Sequence, residues 1–239
     1  MKIKTRILKD FFKKVSTNNT VLEFKADFAA EGVRTVCLNN TNTVKSSVSL
    51  SSSSFVEYES IGKVGFQNVD KLITILNGLG EEVELLVEGN LLVLKSGSRT
   101  VETELMKEDL IKDETFKELP NPSEESKLPP LQHITLNAEV FNGLIGDVSI
   151  NKDYNISFSS EDGVLIIKNT GGFRFTERIN IEGLKGGLNV SFGYPIVDSF
   201  KDLQGVCELK ITSQYPVYIK ETVDGLVTQR LIAPRVENN

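Results

Sequence analysis

The same order of elements occurs on either side of a proline-rich break, and this repetition limits the possible folds more than any single motif. The break is "FKELPNPSEESKLPPLQ", which holds Pro120, Pro122, Pro129 and Pro130 among Ser, Glu and Lys. Such a stretch suits neither a helix interior nor a central strand. Before it, "ILKDFFKKV" sets Leu8, Phe11, Phe12 and Val15 at the i, i+3, i+4, i+7 spacing of a helix stripe; after it, "NAEVFNGLIGDV" repeats the pattern with Val140, Phe141, Leu144, Ile145 and Val148. Short β-rich runs follow each helix, turning at Glu31-Gly32 in the first half and Asp162-Gly163 in the second. A second helix is expected in each half, "NVDKLITILNGL" and "YPIVDSFKDL", and each leads into alternating strands with hairpin turns at Gly89-Asn90 and Asp224-Gly225. The pattern predicts an α+β fold of two similar domains, each with two helices on antiparallel sheet, bounded at 1–117 and 132–239 with a connector over 118–131.

Composition agrees with a globular chain that closes its core without cross-links. The 239 residues are 39% hydrophobic and 25% charged, with net charge -6. Cys37 and Cys207 stand alone, with no CxxC or Cys/His cluster, and are expected to be buried free thiols rather than a disulfide or metal ligands. The opening Met1-Lys2-Ile3-Lys4 does not lead into the apolar run of a signal peptide, and no stretch approaches the ~20 apolar residues of a membrane span. The expected location is cytoplasmic or nucleoid-associated, or the nucleus or a viral replication site if the source is a eukaryote or its virus.

No catalytic set can be assembled. His133 is the single histidine and is expected in a loop beside the linker, so no Ser/His/Asp arrangement exists without it. Asp109 and Asp113 lie in a charged stretch that reads as solvent-facing, and "GLGEE" and "GLKGG" match neither a P-loop nor a dinucleotide fingerprint. Gly171-Gly172 is expected to be a strand turn. The reading is a protein that is not an enzyme and carries no cofactor or metal.

The distribution of charge is more telling than its sum. The first fourteen residues hold Lys2, Lys4, Arg6, Lys9, Lys13 and Lys14 against Asp10 alone, whereas Glu102 to Glu125 is strongly acidic. On a helical wheel with Leu8, Phe11, Phe12 and Val15 inward, Arg6, Lys9 and Lys13 point away and Lys14 and Asp10 lie on the flank. Cations on a rigid helix suit phosphate contact without base reading. The absence of tryptophan and of any aromatic ladder argues against single-strand binding.

The residues "LNVSFGYPIVDSFKDLQGVCELKITSQYPVYIKETVDGLVTQRLIAPRVE" resemble the C-terminal part of the proliferating cell nuclear antigen family, the sliding clamps of eukaryotic and archaeal replication. The resemblance lies in Tyr215-Pro216-Val217, in the acid-Gly hairpin, and in Ile232-Ala233-Pro234-Arg235-Val236-Glu237 matching a family ending in Leu-Ala-Pro-Lys/Arg-Ile-Glu. The opening helix "ILKDFFKKV" and the strand "EGVRTVCLNN" resemble the family's first helix and following strand, and "ETELMKEDL" falls where the family has its connector.

This resemblance implies a DNA clamp fold and a ring-forming trimer that encircles duplex DNA and tethers DNA polymerase and other replication or repair proteins for processivity. The implied DNA contacts are Arg6, Lys9, Lys13, Lys14, Lys71 and Lys201. The implied partner-motif pocket consists of Leu38, Pro216, Leu231, Ala233, Pro234 and Val236. The implied subunit interface pairs a strand over Arg99–Met106 of one protomer, through Arg99, Val101, Thr103 and Leu105, with a strand over Phe173–Ile179 of the next, through Phe173, Phe175, Glu177 and Ile179. Implied partners are double-stranded DNA, a polymerase, a clamp loader, proteins bearing a clamp-binding motif, and the chain itself, with no membrane. Two features depart from the family: the helix starting near Asn137 lacks cations and has Asp147, and "NNTNTVKSS" is more polar than the family's pocket wall. The alternative is a non-encircling β-rich binding module or a monomeric viral-type processivity factor.

Overall fold

A computed structural model describes residues 1–17, 19–141, 155–170, 175–193, 196–200 and 202–234. The chain divides into two compact units, Met1–Phe116 with Thr222–Thr228, and Lys117–Glu221 with Gln229–Asn239.

The first unit runs β1 (Lys2–Lys4), α1 (Thr5–Ser16), β2 (Glu23–Ala29), β3 (Gly32–Leu38), β4 (Val44–Ser51), β5 (Phe55–Glu57), β6 (Gly62–Gln67), α2 (Val69–Asn77), β7 (Glu82–Glu88), β8 (Leu91–Ser96) and β9 (Arg99–Glu104). Its strands pair in the orders β4-β3-β2-β6 and β5-β1-β7-β8-β9. The stripe on α1 does what its spacing demands: Leu8, Phe11, Phe12 and Val15 are all buried, as are Val69, Leu72 and Leu76 of α2. They close over a phenylalanine cluster in which Phe24 and Phe66 stack at 4.9 Å and Phe12 meets Phe66 edge-on at 5.5 Å. Edge-on and stacked rings at these separations add about 0.5–1.5 kcal/mol per pair beyond area burial.

The second unit runs β10 (Gln132–Asn137), β11 (Asn155–Glu161), β12 (Val164–Thr170), β13 (Thr176–Asn180), β14 (Asn189–Gly193), β15 (Val206–Ile211), β16 (Val217–Val223) and β17 (Leu226–Ile232). The orders are β13-β12-β11-β14 and β10-β15-β16-β17. Set beside β4-β3-β2-β6 and β1-β7-β8-β9, these are the same two sheets built a second time, which supplies the physical basis of the sequence repeat. Phe158, Phe192 and Phe200 form its own aromatic centre, with Phe158 edge-on to Phe192 at 5.8 Å.

Three local expectations are corrected. The segment expected as the last α-helix is a 3-10 helix over Ile196–Phe200. A period of three turns Val197 and Phe200 inward together, and both are fully buried. His133 is not in a loop: it lies in β10, exposed, paired in register with Lys210. The strand expected over Arg99–Met106 ends at Glu104, because Met106 leaves β8 and bridges to Gly65 of β6 instead. The expected helix residues Leu144, Ile145 and Val148, together with Asp147 and the turn at Gly171-Gly172, lie outside the described residues.

Candidate nucleic-acid and partner interfaces

Helix α1 sorts its cations into three classes. Lys13 is exposed and Lys9 half-buried, and neither forms an ion pair among the described residues. Arg6 is exposed but engaged: its Nη2 donates to Asp224 Oδ2 at 2.7 Å, and Asp10, one turn along, lies 3.6 Å from Nη1. The hydrogen bond and charge of Asp224 raise the guanidinium pKa above its ordinary value. Lys14 corrects the wheel. It is only 3% exposed and so does not present its charge to solvent. The wheel shows angle but not neighbours, and this end of the helix lies against β4, where Thr17 Oγ1 meets Ser46 Oγ at 3.3 Å. On α2, Lys71 is exposed beside exposed Asp70. Lys201 lies outside the described residues.

The first unit also holds a cavity of about 600 Å³ between the β2–β3 sheet and the chain that follows β9. Its apolar walls are Val21, Leu22, Phe24, Val36 and Leu38 on the sheet side, with Leu110 and Ile111 opposite. Leu22 and Leu110 are 51% and 69% exposed, an unusual state for two leucines at the mouth of one opening. The polar wall expected from "NNTNT" is present but largely satisfied within itself. Asn39 Oδ1 accepts from the N–H groups of Thr43 and Val44 at 2.8 and 3.0 Å, while its Nδ2 donates to the hydroxyls of Thr41 and Thr43.

Of the residues expected at a partner pocket, Leu38 lines this cavity. Pro216, Leu231, Ala233 and Pro234 are half-buried in the second unit, and Val236 lies outside the described residues. Leu22, Val36, Leu110 and Ile111 were not anticipated. The signal that could have found the last two is an adjacent aliphatic pair inside an otherwise acidic stretch.

The strands expected at a subunit interface are both sheet edges, β9 in the first unit and β13 in the second. Val101, Thr103 and Leu105 are half-buried, Phe175 is 37% exposed, Glu177 is exposed and Ile179 half-buried. Arg99 is exposed, and its guanidinium donates to the Gly78 carbonyl at the end of α2. Phe173 lies outside the described residues. An unpaired edge with a partly apolar face is a template for another strand.

The doubled sheets, with helices over a phenylalanine core in the first unit, define the DNA-clamp fold. The chain is similar over its whole length to solved structures of proliferating cell nuclear antigen (PCNA). The structure of the C-terminal region of FEN-1 bound to A. fulgidus PCNA matches with a TM-score of 0.81 at 20% identity, covering 100% of this chain and 98% of that one. PCNA from Entamoeba histolytica matches at 0.78 and 18% identity over 98% of each chain. The PCNA2–PCNA3 complex from Sulfolobus tokodaii matches at 0.70 and 17% identity over 99% of each. No protein-family model and no curated protein sequence matches the chain.

Proposed function

We propose that this chain is a divergent PCNA-type sliding clamp, which closes as a trimeric ring around duplex DNA and tethers a polymerase and other replication or repair proteins. The observation that carries the reading is agreement of fold over the entire chain, both units included, with PCNA structures. In this reading Lys9, Lys13 and Lys71, with Arg6 when released from Asp224, contact phosphates loosely enough for sliding. The edges β9 and β13 pair between protomers, which removes two exposed edges at each junction. The protein is a topological tether rather than a catalyst: it raises the local concentration of a bound polymerase at its template, in whichever compartment holds the cell's DNA.

Partner capture is assigned to the cavity between β2–β3 and the segment after β9. Its support is the pair of exposed leucines at the mouth, and the FEN-1 segment bound by the A. fulgidus protein, which belongs to a structure of the same fold. Light scattering tests the assembly. The expected mass is three times 26.5 kDa, and a lone 26.5 kDa species at tens of micromolar would sink the ring in favour of a non-encircling module. Combining this chain with a second, related chain before measurement tells a homotrimer from a mixed ring.

A further inference from the structure

The wall of the cavity formed by Leu110 and Ile111 belongs to a segment, 107–116, with little structure of its own. It contains one 3-10 turn, Glu108–Leu110, and its approach is anchored by the Met106 N–H donating to the Gly65 carbonyl at 3.1 Å. Apolar burial fixes it only in part, since Leu110 is mostly exposed and Ile111 and Phe116 are half-buried. What holds it is a set of lysines reaching up from the sheet. Lys25 of β2 directs its ammonium to three acceptors on the segment: Asp113 Oδ1 at 2.8 Å, the Ile111 carbonyl at 3.0 Å and the Glu108 carbonyl at 3.2 Å. Three acceptors use all three N–H bonds of an ammonium. Lys45 of β4 bonds Glu114 Oε2 at 2.8 Å and the Thr115 carbonyl at 3.2 Å. Lys63 of β6 stands 3.6 Å from Asp113.

We propose that Lys25 and Lys45 are positioning residues that latch segment 107–116 onto the sheet and so hold the Leu110–Ile111 wall of the cavity in place. Burial distinguishes these bonds from ordinary surface pairs. One partner of each pair is shielded, Lys25 at 11% and Glu114 at 14% exposed against 69% for Asp113 and 27% for Lys45, so water competes least at the Lys25 ammonium and the Glu114 carboxylate, whose bonds are charge-assisted. The Ile111 carbonyl that Lys25 captures belongs to the residue whose side chain lines the cavity, so the latch acts directly on the wall. The importance of the latch for partners rests on the clamp reading; the latch itself does not.

The test is hydrogen–deuterium exchange on the whole chain, comparing wild type with Lys25→Met, Lys45→Met, the double variant carrying both methionines, Lys25→Arg and Asp113→Asn. Lys25→Met keeps the aliphatic stem and removes the charge, and exposed Asp113→Asn serves if the buried change impairs folding. Exchange at the Leu110 and Ile111 amides is expected to rise about tenfold or more in Lys25→Met and in the double methionine variant, with β8 amides unchanged and Lys25→Arg near wild type. Unchanged exchange in 107–116 in the double variant, or an equal rise throughout the first unit, overturns the latch. A labelled synthetic peptide of the FEN-1 C-terminal region is then titrated into the same proteins. Weaker binding by Lys25→Met at unchanged trimer mass supports the positioning role. If the peptide binds no form of the protein while exchange still responds, the latch stands and the partner reading fails.

Discussion

Arg6 offers a sharp test of the proposed DNA surface, because the structure holds it in check. Its guanidinium is tied to Asp224 at 2.7 Å, with side chains 61% and 54% exposed. Exposed pairs of this kind contribute about 1 kcal/mol or less to stability, and alanine at the left-handed φ of 51° that Asp224 adopts in its turn adds about 1–2 kcal/mol of strain, so Asp224→Ala is expected to lower stability modestly and keep the fold. The electrostatic consequence is larger: the substitution removes one negative charge and leaves the guanidinium, on the same helix as Lys9 and Lys13, with Asp10 at 3.6 Å as its remaining carboxylate. Each further phosphate neutralised steepens the dependence of log K on log salt by about 0.9, or about threefold in affinity between roughly 50 and 200 mM salt. One more phosphate held per ring therefore predicts about a threefold steeper loss over that range, and three phosphates about fortyfold. Fluorescence anisotropy with a short labelled duplex measures it, with Arg6→Ala in the Asp224→Ala background expected to return the slope to the wild-type value. Equal slopes in all three proteins would remove Arg6 from the proposed DNA surface and leave α1 with Lys9 and Lys13 alone.

Three further outcomes follow from the geometry. Phe66→Ala takes away the ring that stacks on Phe24 and receives the edge of Phe12, and should cost about 3–5 kcal/mol in denaturant unfolding; a loss under about 1 kcal/mol would contradict the described core. A Cβ at Gly65 would collide with the Met106 carbonyl oxygen and come within 3.1 Å of Ile111 Cδ1, so Gly65→Ala should displace the start of segment 107–116 and weaken peptide binding while trimer mass is kept. Lysine hydrogen bonds, from Lys25 first for Asp113 and Lys45 first for Glu114, hold these carboxyls below their ordinary 3.8 and 4.5. Their stabilisation is complete above those values and is lost as pH falls below them through the depressed folded values, so protease nicking of 107–116 should be flat from pH 7 to 5 and rise only in stronger acid.

How far each feature could be read in the sequence depended on how local its cause is. The α1 stripe, the hairpins at Gly89-Asn90 and Asp224-Gly225, and the repeated order of elements follow from spacing within a few residues, and the structure contains them. Features set by distant neighbours were hidden. The partner of Arg6 is 218 residues away, and the lysine latch joins Lys25 to Ile111 across 86. The burial of Lys14 depends on what covers the helix flank, which no wheel records. The 3-10 form of Ile196–Phe200 was also missed, because Val197, Phe200 and Leu203 suit a three-residue period nearly as well as a helical one. Of the residues that line the cavity, Leu38 was named from the resemblance, whereas Leu110 and Ile111 required knowing that the acidic segment after β9 folds back over β2 and β3.

The most direct test of encirclement uses linear duplex DNA onto which the protein has threaded from the ends, after which both ends are capped with streptavidin. Contacts made only by charge are lost as salt rises, but a closed ring cannot leave a capped molecule. The account predicts protein retained on capped DNA through a wash of about 0.5 M salt and released when a restriction enzyme cuts between the caps. Equal loss from capped and uncapped DNA would contradict a ring around the double helix.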